Sequence, residues 1–129
     1  MIEIVENLFL GDLQDVPKAV GICDSIISII NQPVDQSDYK NSLHISVEDS
    51  PVTDILSKLP EIIEFIKKNL DNNSKILVHC FAGSSRSVSA IIAYLLNIKQ
   101  IASVDDGLDL IVNKGRVHIL MYLLNKDRI

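Results

Sequence analysis

Lys75-Ile76-Leu77-Val78-His79-Cys80-Phe81-Ala82-Gly83-Ser84-Ser85-Arg86-Ser87 is the stretch that decides the fold. Its first five residues are mostly apolar with no alternation, which predicts a buried strand. Residues 80–85 are small and polar with one glycine, and the apolar run after them predicts a central buried helix over 86–97. A tight turn from strand to helix aims its backbone N–H groups at one point, and the helix adds its positive end. The expectation is an anion site built without a basic surface.

The side chains in this turn suit phosphoryl chemistry. Cys80 opens the loop, where N–H dipoles, a helix start and the Arg86 guanidinium all favour thiolate. A thiolate is a strong nucleophile toward phosphorus. Arg86 closes the loop, and its planar fork holds two phosphate oxygens at once, which a lysine cannot do. Gly83 supplies a backbone conformation that a side chain would hinder. Ser87 brings a hydroxyl near the sulfur, able to stabilise the thiolate as it departs. Phe81, Ala82, Gly83, Ser84, Ser85 and Arg86 are the expected phosphate-binding residues, and His79 is expected to orient the loop.

Outward from this segment, strands and helices alternate. Residues 2–4 and 8–10 read as two short strands joined by a turn, and 13–21 as a weakly amphipathic helix containing Pro17. Residues 25–30 (Ser-Ile-Ile-Ser-Ile-Ile) read as a buried strand, 31–42 as a polar loop, and 43–47 as another short strand. Thr53 looks like an N-cap, and apolar residues from Ile55 to Leu70 recur at helical spacing. Residues 103–112 and 117–125 predict two more helices. The expected fold is α/β: a mostly parallel central sheet of four to five strands with helices on both faces.

The chain has 129 residues, which fits a single domain over 1–129. Apolar residues make up 47%, aromatics only 5%, and twenty isoleucines fill the difference. The core is therefore built from branched aliphatics, and a stacking platform for single-stranded nucleic acid is disfavoured. The net charge of −5 argues against general nucleic-acid binding and against a polybasic membrane-surface role. The acidic first residues do not read as a signal peptide, and no apolar run approaches the roughly 20 residues that span a bilayer. The two cysteines do not form a disulfide scaffold. The expected setting is cytoplasmic, with the nucleus also open.

His79-Cys80-x5-Arg86-Ser87 resembles the signature of the cysteine-dependent protein tyrosine phosphatases. The interior with Gly83 and Ser85, and the Ala-Ile-Ile-Ala-Tyr-Leu-Leu run that follows, resemble the small atypical dual-specificity phosphatases. The likeness extends to Val5-Glu6-Asn7-Leu8-Phe9-Leu10-Gly11, to residues 26–31, and to Ile45-Ser46-Val47-Glu48-Asp49-Ser50. It covers about residues 2 to 112, and such a signature in a strand–loop–helix context is specific. It implies a two-step mechanism. Cys80 forms a cysteinyl-phosphate, and Asp49 protonates the leaving oxygen and then deprotonates water. Arg86 and the loop amides stabilise the equatorial oxygens. It implies no cofactor and no metal. The implied partners are phosphorylated proteins carrying phosphotyrosine or phosphoserine/threonine, and a phosphate or sulfate anion would fit the loop. The loop interior lacks lysine, which argues against phosphoinositides, and the short chain predicts a shallow pocket. After Val112 the sequence departs from the family, lacking the Asn that braces the loop.

Other readings stand beside these. Asp49-Ser50-Pro51 is also a good turn or helix-start sequence, and Glu48 is an adjacent carboxylate. Cys23 reads either as a resolving thiol for Cys80 or as a buried apolar residue. His44 and His118 match no zinc-ligand spacing with the cysteines. A phosphate-binding module without turnover, or a phosphatase of a non-protein ester, are the alternatives to a protein phosphatase. Gly107 inside a helix costs about 1 kcal/mol relative to Ala.

Overall fold

The computed structural model describes residues 1–47, 55–82 and 85–115. Five strands form one sheet in the order β1-β2-β5-β3-β4. They are β1 (Ile2–Val5), β2 (Leu8–Gly11), β3 (Ser25–Ile29), β4 (Asn41–Ile45) and β5 (Ile76–His79). β1 pairs antiparallel with β2, and every other pairing is parallel. Asn7 makes the tight β1–β2 turn at φ 68, a left-handed conformation that Asn tolerates. Among the described residues four α-helices accompany the sheet: α1 (Asp15–Lys18), α2 (Leu59–Asp71), α3 (Arg86–Asn97) and α4 (Val104–Asn113). None of these helices is long and apolar enough to cross a membrane.

Side-chain alternation divides the core in two. Ile27, Ile29, Ile76 and Val78 face α2, α3 and α4 in the larger cluster, with Ile62, Ile66, Ile91 and Leu95. Ile26 and Leu77 face the other way, toward Val16, Ala19, Cys23 and Tyr39. Helices thus flank both faces, but unequally: one face carries three full helices and the other a single turn plus loops. β5 lies between β2 and β3 and is buried at all four positions, which explains its continuous apolar sequence.

Three elements differ from expectation. The helix expected over 13–21 spans only Asp15–Lys18. Asp12 and Asp15 exchange backbone-to-carboxylate hydrogen bonds of 2.9 and 3.1 Å, which set the start two residues later. Leu13 instead donates its N–H to Phe81 O at 3.1 Å. The strand expected over 43–47 spans Asn41–Ile45, because Ser25 at the start of β3 pairs with Asn41. The helix expected from Ile55 begins as a 3-10 turn at Leu56–Lys58 and becomes α-helical at Leu59, where Pro60 needs no N–H partner. The helix over 86–97 matches α3, and Ser103 caps α4 by accepting from Asp106 N–H. Thr53 and the helix expected over 117–125 lie outside the described residues.

Gly107 has a packing reason. A Cβ there would lie 2.9 Å from both Ile92 Cγ1 and Ile101 Cδ1. The glycine lets α4 approach α3 closely, which offsets its poor helix propensity.

Candidate active site

The site lies where β5 ends and α3 begins, at the carboxyl end of the parallel strands, where open α/β sheets bind ligands. Alternation along β5 sends His79 to the α1 face and Cys80 to the helical face. Both are buried. Cys80 Sγ lies 3.2 Å from Ser87 Oγ, in the first turn of α3. The first turn of the helix thus brings a hydroxyl to the sulfur that follows the end of β5.

Arg86 is the first residue of α3 and is only 5% exposed. Its Nη1 donates to Val47 O at 3.2 Å. That contact ties the helix start to the chain just before Glu48 and Asp49. A guanidinium held in such a poorly solvated place attracts an anion more strongly than one in water. Phe81 is 59% exposed, so its ring stands at the rim of the loop. Its carbonyl is held by Leu13 N–H.

His79 uses both ring nitrogens. Nδ1 lies 3.1 Å from Cys80 O, and Nε2 lies 2.6 Å from Ser28 Oγ. Its pKa is lowered by burial, which outweighs the opposing effects of the Cys80 carbonyl, Asp12 and Asp15. A neutral ring with both nitrogens engaged suits the loop-orienting role read from sequence and not proton transfer.

The structure places His79, Cys80, Phe81, Ala82, Ser85, Arg86 and Ser87 at one strand–helix junction. Asp49, its neighbour Glu48, Gly83, Ser84 and His118 lie outside the described residues, as does the chain beyond Gly115. The shallow pocket expected from chain length depends on those segments. Ser28, Gln36 and the Leu13 N–H are the site's supports that sequence reading missed. The available signal was Ser28 itself, a polar residue in the middle of a strand whose other interior positions are isoleucines.

Cys23 is a free thiol in the smaller core cluster. It precedes Ser25, which pairs with Ile76, whereas Cys80 follows the other end of β5. At least four strand residues, roughly 13 Å, separate these levels, too far for a disulfide. Burial, helped by Asp24, pushes its pKa up to about 11. The apolar reading of Cys23 therefore holds over the resolving-thiol reading. His44 bonds the carbonyl of Ile30 at 2.9 Å. Among the described residues no three His, Cys, Asp or Glu side chains gather as a metal site.

Residues 9–123 match the family described as "Dual specificity phosphatase, catalytic domain". Protein 123R of Invertebrate iridescent virus 6, named as a tyrosine phosphatase, is 34% identical over 119 residues, covering 89% of this chain and 80% of that protein. Dual specificity protein phosphatase 15 of Mus musculus is 35% identical over 102 residues, covering 76% of this chain and 43% of its own length. The chain thus spans less than half of that mammalian relative. The crystal structure of DUSP15 superposes with a TM-score of 0.82 at 31% identity, over 92% of this chain and 77% of that one. A human tyrosine phosphatase-like serine/threonine/tyrosine-interacting protein superposes at 0.79 with 27% identity, over 100% and 98% of the two chains.

Proposed function

The chain belongs to the dual-specificity phosphatase family of phosphoric monoester hydrolases, and from that membership we propose that Cys80 is its nucleophile toward phosphorylated proteins. The observation that carries the assignment is the meeting of Cys80 Sγ and Ser87 Oγ at 3.2 Å beside buried Arg86, where β5 turns into α3. Cys80 Sγ bonds to phosphorus as the ester P–O bond breaks, and the leaving oxygen takes a proton from Asp49. Water then attacks phosphorus and gives its proton to Asp49. The S–P bond breaks, the thiolate returns to the Ser87 hydroxyl, and inorganic phosphate leaves.

Arg86 and the loop amides hold the equatorial oxygens through both steps. The loop comprises Phe81, Ala82, Gly83, Ser84, Ser85 and Arg86. Two of its amides, those of Phe81 and Ala82, owe their direction to outside donors. In a trans peptide the N–H points opposite to the carbonyl. His79 holds Cys80 O, and Leu13 holds Phe81 O, so Phe81 N–H and Ala82 N–H point away from those anchors. Asp49 as the acid is supported by the bond from Arg86 to Val47 O, which secures the chain two residues before it. The substrates are proteins carrying phosphotyrosine and phosphoserine/threonine, without nucleic acid or membrane as partners.

Hydrolysis of para-nitrophenyl phosphate and an alkyl phosphate by wild type, Cys80→Ser and Asp49→Ala tests the assignment. Cys80→Ser abolishes turnover while phosphate binding survives. Asp49→Ala lowers turnover of the alkyl ester by about 10²–10⁴-fold, the usual worth of a positioned acid. Full activity in Cys80→Ser overturns the mechanism. The likeness to a phosphatase-like interacting protein over its full length favours a second reading, a phosphosite-binding module. A stable phosphopeptide complex of wild type without phosphate release selects that reading.

A further inference from the structure

The chemistry above leaves Ser28 and Gln36 without a task, although both reach the phosphate loop through His79. Their hydrogen bonds have only one consistent direction. Cys80 O can only accept, so His79 Nδ1 carries the ring proton. Burial keeps the ring neutral, so Nε2 is an acceptor. Ser28 Oγ, 2.6 Å away, must then give its hydroxyl proton to Nε2. The same oxygen accepts from Gln36 Nε2 at 2.9 Å. Gln36 spends its second N–H on Leu43 O at 3.1 Å. Leu43 O also only accepts, which fixes the orientation of the Gln36 amide.

We propose that Gln36 is a positioning residue for the phosphate loop: through Ser28 and His79 it fixes the Cys80–Phe81 peptide, and through Leu43 it ties that peptide to β4. The inference rests on the functional reading above. Gln36 sits in the β3–β4 connection, and β4 leads to Val47, whose carbonyl receives Arg86. One side chain therefore joins the loop that binds phosphate to the strand that leads to the general acid. The titratable groups that act on His79 are His44 on β4 and Asp12 and Asp15 before and within α1. None of them replaces the donor that Ser28 supplies.

The test uses ¹⁵N NMR of histidine-labelled protein, the pH profile of Cys80 alkylation by iodoacetamide, and steady-state kinetics on para-nitrophenyl phosphate. Wild type shows His79 as the neutral Nδ1–H tautomer at pH 7; an Nε2–H tautomer or an imidazolium overturns the proposal. Gln36→Ala lowers kcat about fivefold, the size of one net hydrogen bond, with little change in KM. It also moves the alkylation profile to higher pH. Gln36→Glu, which keeps the volume but loses both donors, behaves like Gln36→Ala. Ser28→Ala releases the tautomer, and Ser28→Thr retains it. Unchanged kcat and alkylation in Gln36→Ala, or a fall in melting temperature alone, overturns the proposal. If wild type hydrolyses no phosphate ester, the functional reading fails separately, because tautomer and alkylation still judge the hydrogen-bond chain.

Discussion

Two cysteines of nearly equal burial are set for opposite chemistry. Cys23 sits among Val16, Ala19, Ile26 and Tyr39, and its pKa is pushed up to about 11. Cys80 has the Ser87 hydroxyl at 3.2 Å and lies where a helix begins. Iodoacetamide at pH 7 is therefore expected to modify Cys80 well before Cys23, and inorganic phosphate to protect Cys80. Peptide mass spectrometry over a time course checks this; equal rates at the two sites contradict it. Ser87→Ala removes the hydroxyl proposed to receive the departing thiolate. A hydrogen bond to a charged group is worth about 1.5–3 kcal/mol, so breakdown of the cysteinyl-phosphate slows about tenfold or more. The readout is a burst of nitrophenol followed by a slow steady state; a proportional loss in both phases contradicts it. Cys80, Arg86 and Ser87 were legible because they lie within eight consecutive residues with fixed spacing. Gln36 and Ser28 were not, because they meet His79 only through the pairing of Ser28 with His79 across β3 and β5.

Elements were legible where burial is continuous and obscure where a side chain or backbone group has a distant partner. β5 and α3 followed directly from their apolar runs. α1 was overextended because nothing in residues 13–21 shows that Leu13 N–H is engaged by Phe81 O. β4 was misplaced by two residues because its polar start, Asn41-Ser42, is exposed on the outermost strand, where hydropathy carries little information. Gly107 tests the helix packing. Gly107→Ala gains about 1 kcal/mol of helix propensity but places a methyl against the branched Ile92. Overpacking costs about 1–3 kcal/mol, so the net expectation is a modest loss of stability. Urea denaturation of the two proteins measures it; a clear gain in the variant means that α3 and α4 are not in close contact.

At the scale of the whole molecule, the acidic balance and the proposed phosphate site are compatible because such a site needs only one strand–helix turn and no basic surface. The net charge argues against a generally basic surface but does not reveal that turn. Strand alternation was legible in the sequence. The position of β5 between β2 and β3 was not, since it follows from which strands the crossovers bring together. Buried titratable groups then set a stability window. His79 has a lowered pKa, so below its ordinary 6.5 the unfolded chain binds a proton that the native state refuses, and stability falls with pH. Cys23 and Tyr39 are raised, to about 11 and about 12, by burial. Above their ordinary 9.0 and 10.0 the unfolded chain loses protons that the native state keeps, and stability falls again. The urea midpoint is expected to be highest near pH 7–8.5, with the acid limb reduced in His79→Asn. A midpoint that rises steadily from pH 7 to pH 11 contradicts this.

The central place of β5 also governs the order in which the molecule can assemble. Leu8 and Ser25 both pair with Ile76, so neither β2 nor β3 has its inner neighbour until more than half of the chain is available. Loops of that length must close before the sheet is continuous, and such non-local pairing slows folding. Cys80, the proposed nucleophile, follows directly on that last-placed strand. A nascent or refolding chain therefore gains the strand–helix junction proposed to activate Cys80 only at the step that joins the two halves of the sheet, and partly folded forms carry this sulfur outside that setting.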